Sequence, residues 1–114
     1  MCSKLPALRV AFTNLAIGGL LLAHGFARRG DAALSAAALL RRHVYIDTMG
    51  FDPVLIRAAA EIVGPSNVLA GSDWPIVSDR PIQPTLAGAL AEAGFSHTEQ
   101  QQIAGDNARR LLGI

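Results

Sequence analysis

The sequence predicts an α/β unit of parallel strands joined by crossover helices, and three observations carry that prediction. Short apolar runs recur with helix-forming stretches between them. Each run ends, at its C-terminal side, in polar residues. The composition is that of a globular chain, with 51% hydrophobic and 17% charged residues over 114 positions. Aromatic residues make up only 5%, so Ala, Leu, Ile and Val must fill the core, which suits helices packed closely on a sheet. Short connections between alternating strands and helices imply parallel strands with right-handed crossovers. Three strands alone would leave two unpaired edges and a half-covered core, so the unit reads as part of a larger sheet or barrel.

The elements follow in order. Residues 8 to 14, LRVAFTN, form the first strand, a β-branched and aromatic run that ends at Thr13 and Asn14. Helix is expected over roughly 16 to 28 and again over 31 to 42, where Ala and Leu dominate and Arg41 and Arg42 complement a helix C-terminus. The second strand is HVYIDT, residues 43 to 48. Asp52 as N-cap, Pro53 at the first helical position and Gly64 beyond the last turn bracket a helix over 53 to 63. Asn67 to Ala70 form a short third strand, and Gly71 releases it into the loop Ser72 to Pro81. A helix over Pro84 to Ala93 closes at Gly94, and Ser96 with Glu99 makes a capping box for a helix over 97 to 104. Gly105 is expected to end that helix and Asp106 to cap a last one through Leu112. No linker or internal repeat divides residues 1 to 114, which read as one structural unit.

Charge and cysteine content narrow the function. Ten basic against nine acidic residues give a formal charge of +1 without a basic patch, so nucleic acid is not an implied partner. Cys2 stands alone and cannot form an intramolecular disulfide, which makes a reducing, cytoplasmic setting the default. Residues 10 to 27 carry no Lys, Arg, Asp or Glu, but Thr13, Asn14, His24 and three glycines interrupt the run, and a membrane span is not predicted.

In parallel α/β architectures ligands meet the carboxyl ends of the strands. The polar tips Thr13 and Asn14, Asp47 and Thr48, and Ser72 and Asp73 all fall there. Asp73 is the sharpest candidate, since a carboxylate at a strand exit can ligate a divalent metal, orient a water or take its proton. The alternative is local: an Asp before Trp74 and Pro75 can cap a turn, with Trp74 a buried wedge. Asp47 faces the same choice. His43 at a strand start, His97 in a first helical turn and His24 in an apolar stretch read as structural or solvated. No His-x-His or Cys-x-x-Cys pattern occurs, and a catalytic zinc site takes three protein ligands. Glycine-rich phosphate loops and nucleophile elbows are absent too.

Three stretches together resemble a known family: LPALRVAFTNLA, HVYIDTMGF, and GPSNVLAGSDWP followed by DNARRLLGI. From about Leu5 to Ile114 the chain is similar to the C-terminal third of the amidohydrolase-related proteins, the metal-dependent hydrolase branch that includes aminocarboxymuconate-semialdehyde decarboxylase. The resemblance implies the last three β/α units, with C-terminal helices, of a TIM (β/α)8 barrel. It implies metal-assisted hydrolysis or decarboxylation of a small organic substrate, with Asp73 as catalytic residue and metal ligand. Asn14, Asp47, Thr48 and Trp74 would then face substrate. Asn14 stands where many members carry a histidine of the active site, and an amide is no general base near neutral pH. The family's His-x-His on the first strand and histidine on the fifth find no match here. The expected cofactor is accordingly a divalent metal, zinc foremost in the family, not held stably by this chain alone. Three origins stay open: a piece of a longer enzyme, a product of a disrupted gene, or a remnant that pairs with another polypeptide. A non-catalytic piece that completes a barrel or a homo-oligomer is the alternative function.

Overall fold

The computed structural model describes residues 4–13, 19, 33–76 and 80–114. Three parallel strands, β1 (Val10–Phe12), β2 (Val44–Asp47) and β3 (Val68–Leu69), lie in the order β1-β2-β3. Val10 pairs with Val44 and Phe12 with Ile46, while Ile46 pairs with Val68 and Asp47 with Leu69. All three strands predicted from the sequence are present, with tighter bounds. Asn14, His24 and, apart from residue 19, the helix expected over 16 to 28 lie outside the described residues. No helix among the described residues is long and apolar enough to cross a membrane.

Helix α1 (Ala33–His43) ends in Arg41, Arg42 and His43, and the two arginines put positive charge where the helix dipole is negative. Helix α2 (Pro53–Val63) starts as its punctuation predicts: the Asp52 side chain accepts from the Leu55 N–H at 3.0 Å, and Pro53 occupies the first turn. At its other end Gly64 adopts φ +88° and its N–H donates to the Ala60 carbonyl at 2.8 Å. That backbone conformation is open to glycine and strained for other residues. The face of α2 carrying Ile56, Ala59, Ala60 and Val63 packs with Ile46, Val68, Leu86, Leu90, Phe95 and Ile103 into the core. Ile46 and Ile56 are completely buried, each contributing roughly 2 kcal/mol of apolar burial.

Helix α3 (Ile82–Glu92) begins two residues before Pro84, where the sequence reading placed its start. The physical reason is that Pro84 sits in the first turn, where the missing N–H would have no helical partner anyway. Helix α4 (His97–Gln101) carries the predicted capping box, with Ser96 and Glu99 bonded reciprocally. The hydrogen bonds from Ser96, backbone first, hold the Glu99 carboxyl below its ordinary value against a weaker opposing effect of burial, with Arg57 adding to the lowering.

The expected break at Gly105 does not occur. The chain runs from α4 through a π-helical turn (Gln102–Asp106) into α5 (Asn107–Leu112) without interruption. Asp106 is helical and caps nothing with its side chain, which instead pairs with Arg109 at 3.3 Å. Ile103 and Asn107, four positions apart, are both buried, and Asn107 bonds to the Val68 carbonyl of β3.

Candidate active site

The carboxyl ends of β1, β2 and β3 leave the sheet at Thr13, at Asp47 and Thr48, and at Gly71 to Asp73. Thr13 is exposed. Past β2, Thr48 is fully buried, and its hydroxyl donates to the Gly71 carbonyl and accepts from the Gly71 N–H, both at 3.1 Å. The sequence reading gives Thr48 a contact with substrate. The structure instead closes its hydroxyl onto neighbouring backbone and leaves it no exposed surface. Its carbonyl also accepts from the Phe51 N–H at 2.9 Å, fixing the turn Met49–Phe51.

Asp47 is half-buried at the end of β2 and accepts from the Met49 N–H at 3.3 Å. Its side chain lies against Gly71: a Cβ built there would stand 3.0 Å from the Asp47 Cβ and 3.2 Å from Oδ2. Gly71 is therefore part of the site, and sequence reading missed this by treating it as a loop hinge. The signal was available, since a glycine at a strand exit often marks a close approach of another chain segment.

Asp73 is exposed at φ +54°, a left-handed conformation that Asp tolerates better than most residues. Its carbonyl accepts from the Ile76 N–H at 2.8 Å, and the Ser72 hydroxyl accepts from the Trp74 N–H at 3.1 Å. The turn 72 to 76 is thus closed by its own backbone and by Ser72. The Trp74–Pro75 bond is cis. Trp74 is 65% exposed, so the alternative in which it serves as a buried wedge does not hold. Asp47, Thr48, Gly71 and Asp73 are brought to one end of the sheet; Asn14 lies outside the described residues.

Two clefts of about 380 Å³ flank α3, one lined by Phe51, Arg80, Thr85 and Glu92 and the other by Ala70, Leu86, Leu90 and His97 among others. Neither includes Asp47 or Asp73. Among the described residues no three His, Cys, Asp or Glu side chains stand close enough to hold a metal ion. The described residues therefore do not by themselves make up a metal centre.

The two histidines among the described residues are structural or solvated, as expected. His43 is buried and its Nδ1–H donates to the Leu8 carbonyl at 2.7 Å, while His97 is exposed in the first turn of α4. Two buried amides went unnoticed in the sequence. Asn67 donates to the carbonyls of Arg41 at 2.6 Å and Val44 at 2.9 Å, and Asn107 to those of Pro65 and Val68, both at 2.8 Å.

Comparison with known proteins agrees with this architecture. A relative from Dictyostelium discoideum, 2-amino-3-carboxymuconate-6-semialdehyde decarboxylase, is 26% identical over 97% of this chain and 33% of its own length. The 5-carboxyvanillate decarboxylase of Sphingomonas paucimobilis superposes with a TM-score of 0.75 at 20% identity, over 99% of this chain and 36% of that one. A dihydroxybenzoic acid decarboxylase from Polaromonas sp. JS666, solved with manganese and the inhibitor 2-nitroresorcinol, gives 0.74 at 18% identity, over 98% and 36%. The chain spans about a third of the length of these relatives, and its three strands have the fold of the corresponding part of theirs. A profile of the amidohydrolase family matches residues 4–114, and on that match the chain belongs to the amidohydrolase family.

Proposed function

We propose that the chain supplies the C-terminal wall of an amidohydrolase-type active site whose reaction is metal-assisted hydrolysis or decarboxylation of a small organic substrate. The observation that carries this reading is the convergence of Asp47, Gly71 and Asp73 at the carboxyl end of the sheet, with Asp73 exposed beyond it. Decarboxylation is the stronger form, because the curated relative and both solved relatives described above are decarboxylases.

In this reading Asp73 holds or moves a proton at the mouth of the site, accepting it from a water or a substrate hydroxyl. The exposed indole of Trp74 offers a flat apolar wall against which a ring can stack. Asp47 carries the second carboxylate, turned toward the β3 exit. Asp73 would supply one ligand of a metal whose other ligands lie outside the described residues, and no step of the reaction is assigned through the metal. The lone Cys2 fits a reducing compartment.

The test is turnover with and without a complement. The chain with Mn²⁺ or Zn²⁺ should release no carbon dioxide from carboxylated phenols, and should release it once the first two-thirds of the Dictyostelium relative is co-expressed. Asp73→Asn should then lower kcat by about 100-fold or more. Unchanged turnover in that variant would remove Asp73 from the mechanism, and turnover by the chain alone would refute an incomplete site. The alternative, a non-catalytic piece that completes a barrel or an oligomer, draws on Phe12, 47% exposed on β1. Size-exclusion chromatography separates the two, since a monomer argues against it.

A further inference from the structure

We propose that Thr48 is a positioning residue, whose hydroxyl clasps the backbone of Gly71 and thereby holds the Asp47 and Asp73 carboxylates in one arrangement. Its value for catalysis rests on the reading of Asp73 above; the arrangement itself does not.

The β2–β3 ladder pairs Ile46 with Val68 and Asp47 with Leu69 and goes no further. Beyond it, one side-chain oxygen takes over. A hydroxyl has one donor and two acceptor sites, and Thr48 directs its donor to the Gly71 carbonyl and one acceptor site to the Gly71 N–H. Both backbone groups of one residue thus end on one atom, an extra rung made by a side chain. Thr48 cannot swing away, because it is fully buried and its own carbonyl is held by Phe51.

Gly71 transmits this clasp in two directions. Sideways, its bare Cα lies against Asp47, where any Cβ would come within 3.0 Å of the Asp47 Cβ. The carboxylate is pinned between that surface and the Met49 N–H. Forward, Asp73 follows only two residues later, in a turn tied by Ser72 to Trp74 and by Asp73 to Ile76. A displacement of Gly71 passes to Asp73 through Ser72 alone, at the start of that tied turn. Threonine here serves the site without touching substrate.

The experiment labels the aspartate carboxyl carbons of the full chain and follows Asp47 and Asp73 by NMR, together with hydrogen exchange at the Gly71 amide. Thr48→Val keeps the shape and removes the hydrogen bonds. It should speed Gly71 exchange about tenfold and shift both carboxyl resonances, while Thr48→Ser should restore both toward the parent values. Ile103→Val, a core change remote from the clasp, should leave the resonances in place. Should Thr48→Val not fold, Thr48→Ser and Gly71→Ala carry the test: the first should keep both resonances, the second should move that of Asp47. Unmoved resonances in folded Thr48→Val, an unmoved Asp47 in Gly71→Ala, a failure of Thr48→Ser to restore, or equal movement in Ile103→Val would each overturn the proposal. If the resonances behave as stated while Asp73→Asn retains full turnover in the complemented enzyme, the clasp stands and the proposed function fails.

Discussion

The two ends of the sheet treat polar residues in opposite ways. At the amino end, His43, Asn67 and Asn107 are buried, and their side-chain N–H groups are committed to main-chain carbonyls of distant segments. Burying such groups costs several kcal/mol unless they are bonded, so these residues hold the strand starts together. At the carboxyl end Asp73 and Trp74 are exposed and Asp47 is half-buried, although each belongs to a residue type able to fix a structure. In the proposed reading the contrast separates stability from chemistry along one strand direction, as in parallel barrels generally. Thr48 is the instructive exception, a buried and bonded residue at the chemical end.

Substitutions at each end can break or sharpen that division. The largest effect is expected for Asn107→Ala, which leaves the carbonyls of Pro65 and Val68 without their donor and opens a cavity; a loss of about 3 kcal/mol should appear as a lowered urea midpoint. His43→Ala should cost somewhat less, about 2 kcal/mol in the same measurement, through the lost bond to Leu8 and the lost packing. Ser96→Ala removes one half of the capping box, away from both ends of the sheet, at about 1 kcal/mol. Smallest of all, Asp73→Asn should change thermal stability by less than about 0.5 kcal/mol, since the site is exposed and Asn tolerates the left-handed backbone as Asp does. A cost at Asp73 equal to that at Asn107 would dissolve the distinction between the two ends.

Acid offers a further check at the capping box. Because the Glu99 carboxyl titrates below its ordinary value in the fold, its contribution is complete above the unfolded value. It is lost as pH falls through the folded one. Stability measured from neutral to strongly acidic pH should therefore lose an increment in Glu99→Gln, confined to the range above that transition, and the two curves should approach each other in acid.

Much of the fold was legible because its signals are local. Asp52, Pro53 and Gly64 bracket α2 within a dozen positions, and Ser96 with Glu99 announces α4 within four. The strand tips placed Asp47 and Asp73 at one end, and the structure keeps them there. Asn67 and Asn107 were not legible, since their partners lie 23 to 42 positions away and nothing in the neighbouring residues marks an amide as a clamp. The bonds of Thr48 to Gly71 were not legible for a related reason. A hydroxyl at a strand exit looks the same in sequence whether it faces a ligand or Gly71. The break expected at Gly105 failed because a glycine followed by an aspartate mimics a helix end, while burial of Ile103 and Asn107 holds the helix together.

The π-helical turn sets the angular phase of everything after it. One residue more than an α-turn requires is accommodated between Gln102 and Asp106, which rotates α5 by roughly 100° relative to an uninterrupted α-helix. Straightening the turn to regular α geometry at constant length would turn Asn107 away from the carbonyls of Pro65 and Val68, whereas deleting the surplus residue would leave Asn107 in phase with them. At this chain length the regular helix is the damaging form, and the bulge is what keeps Asn107 on its partners.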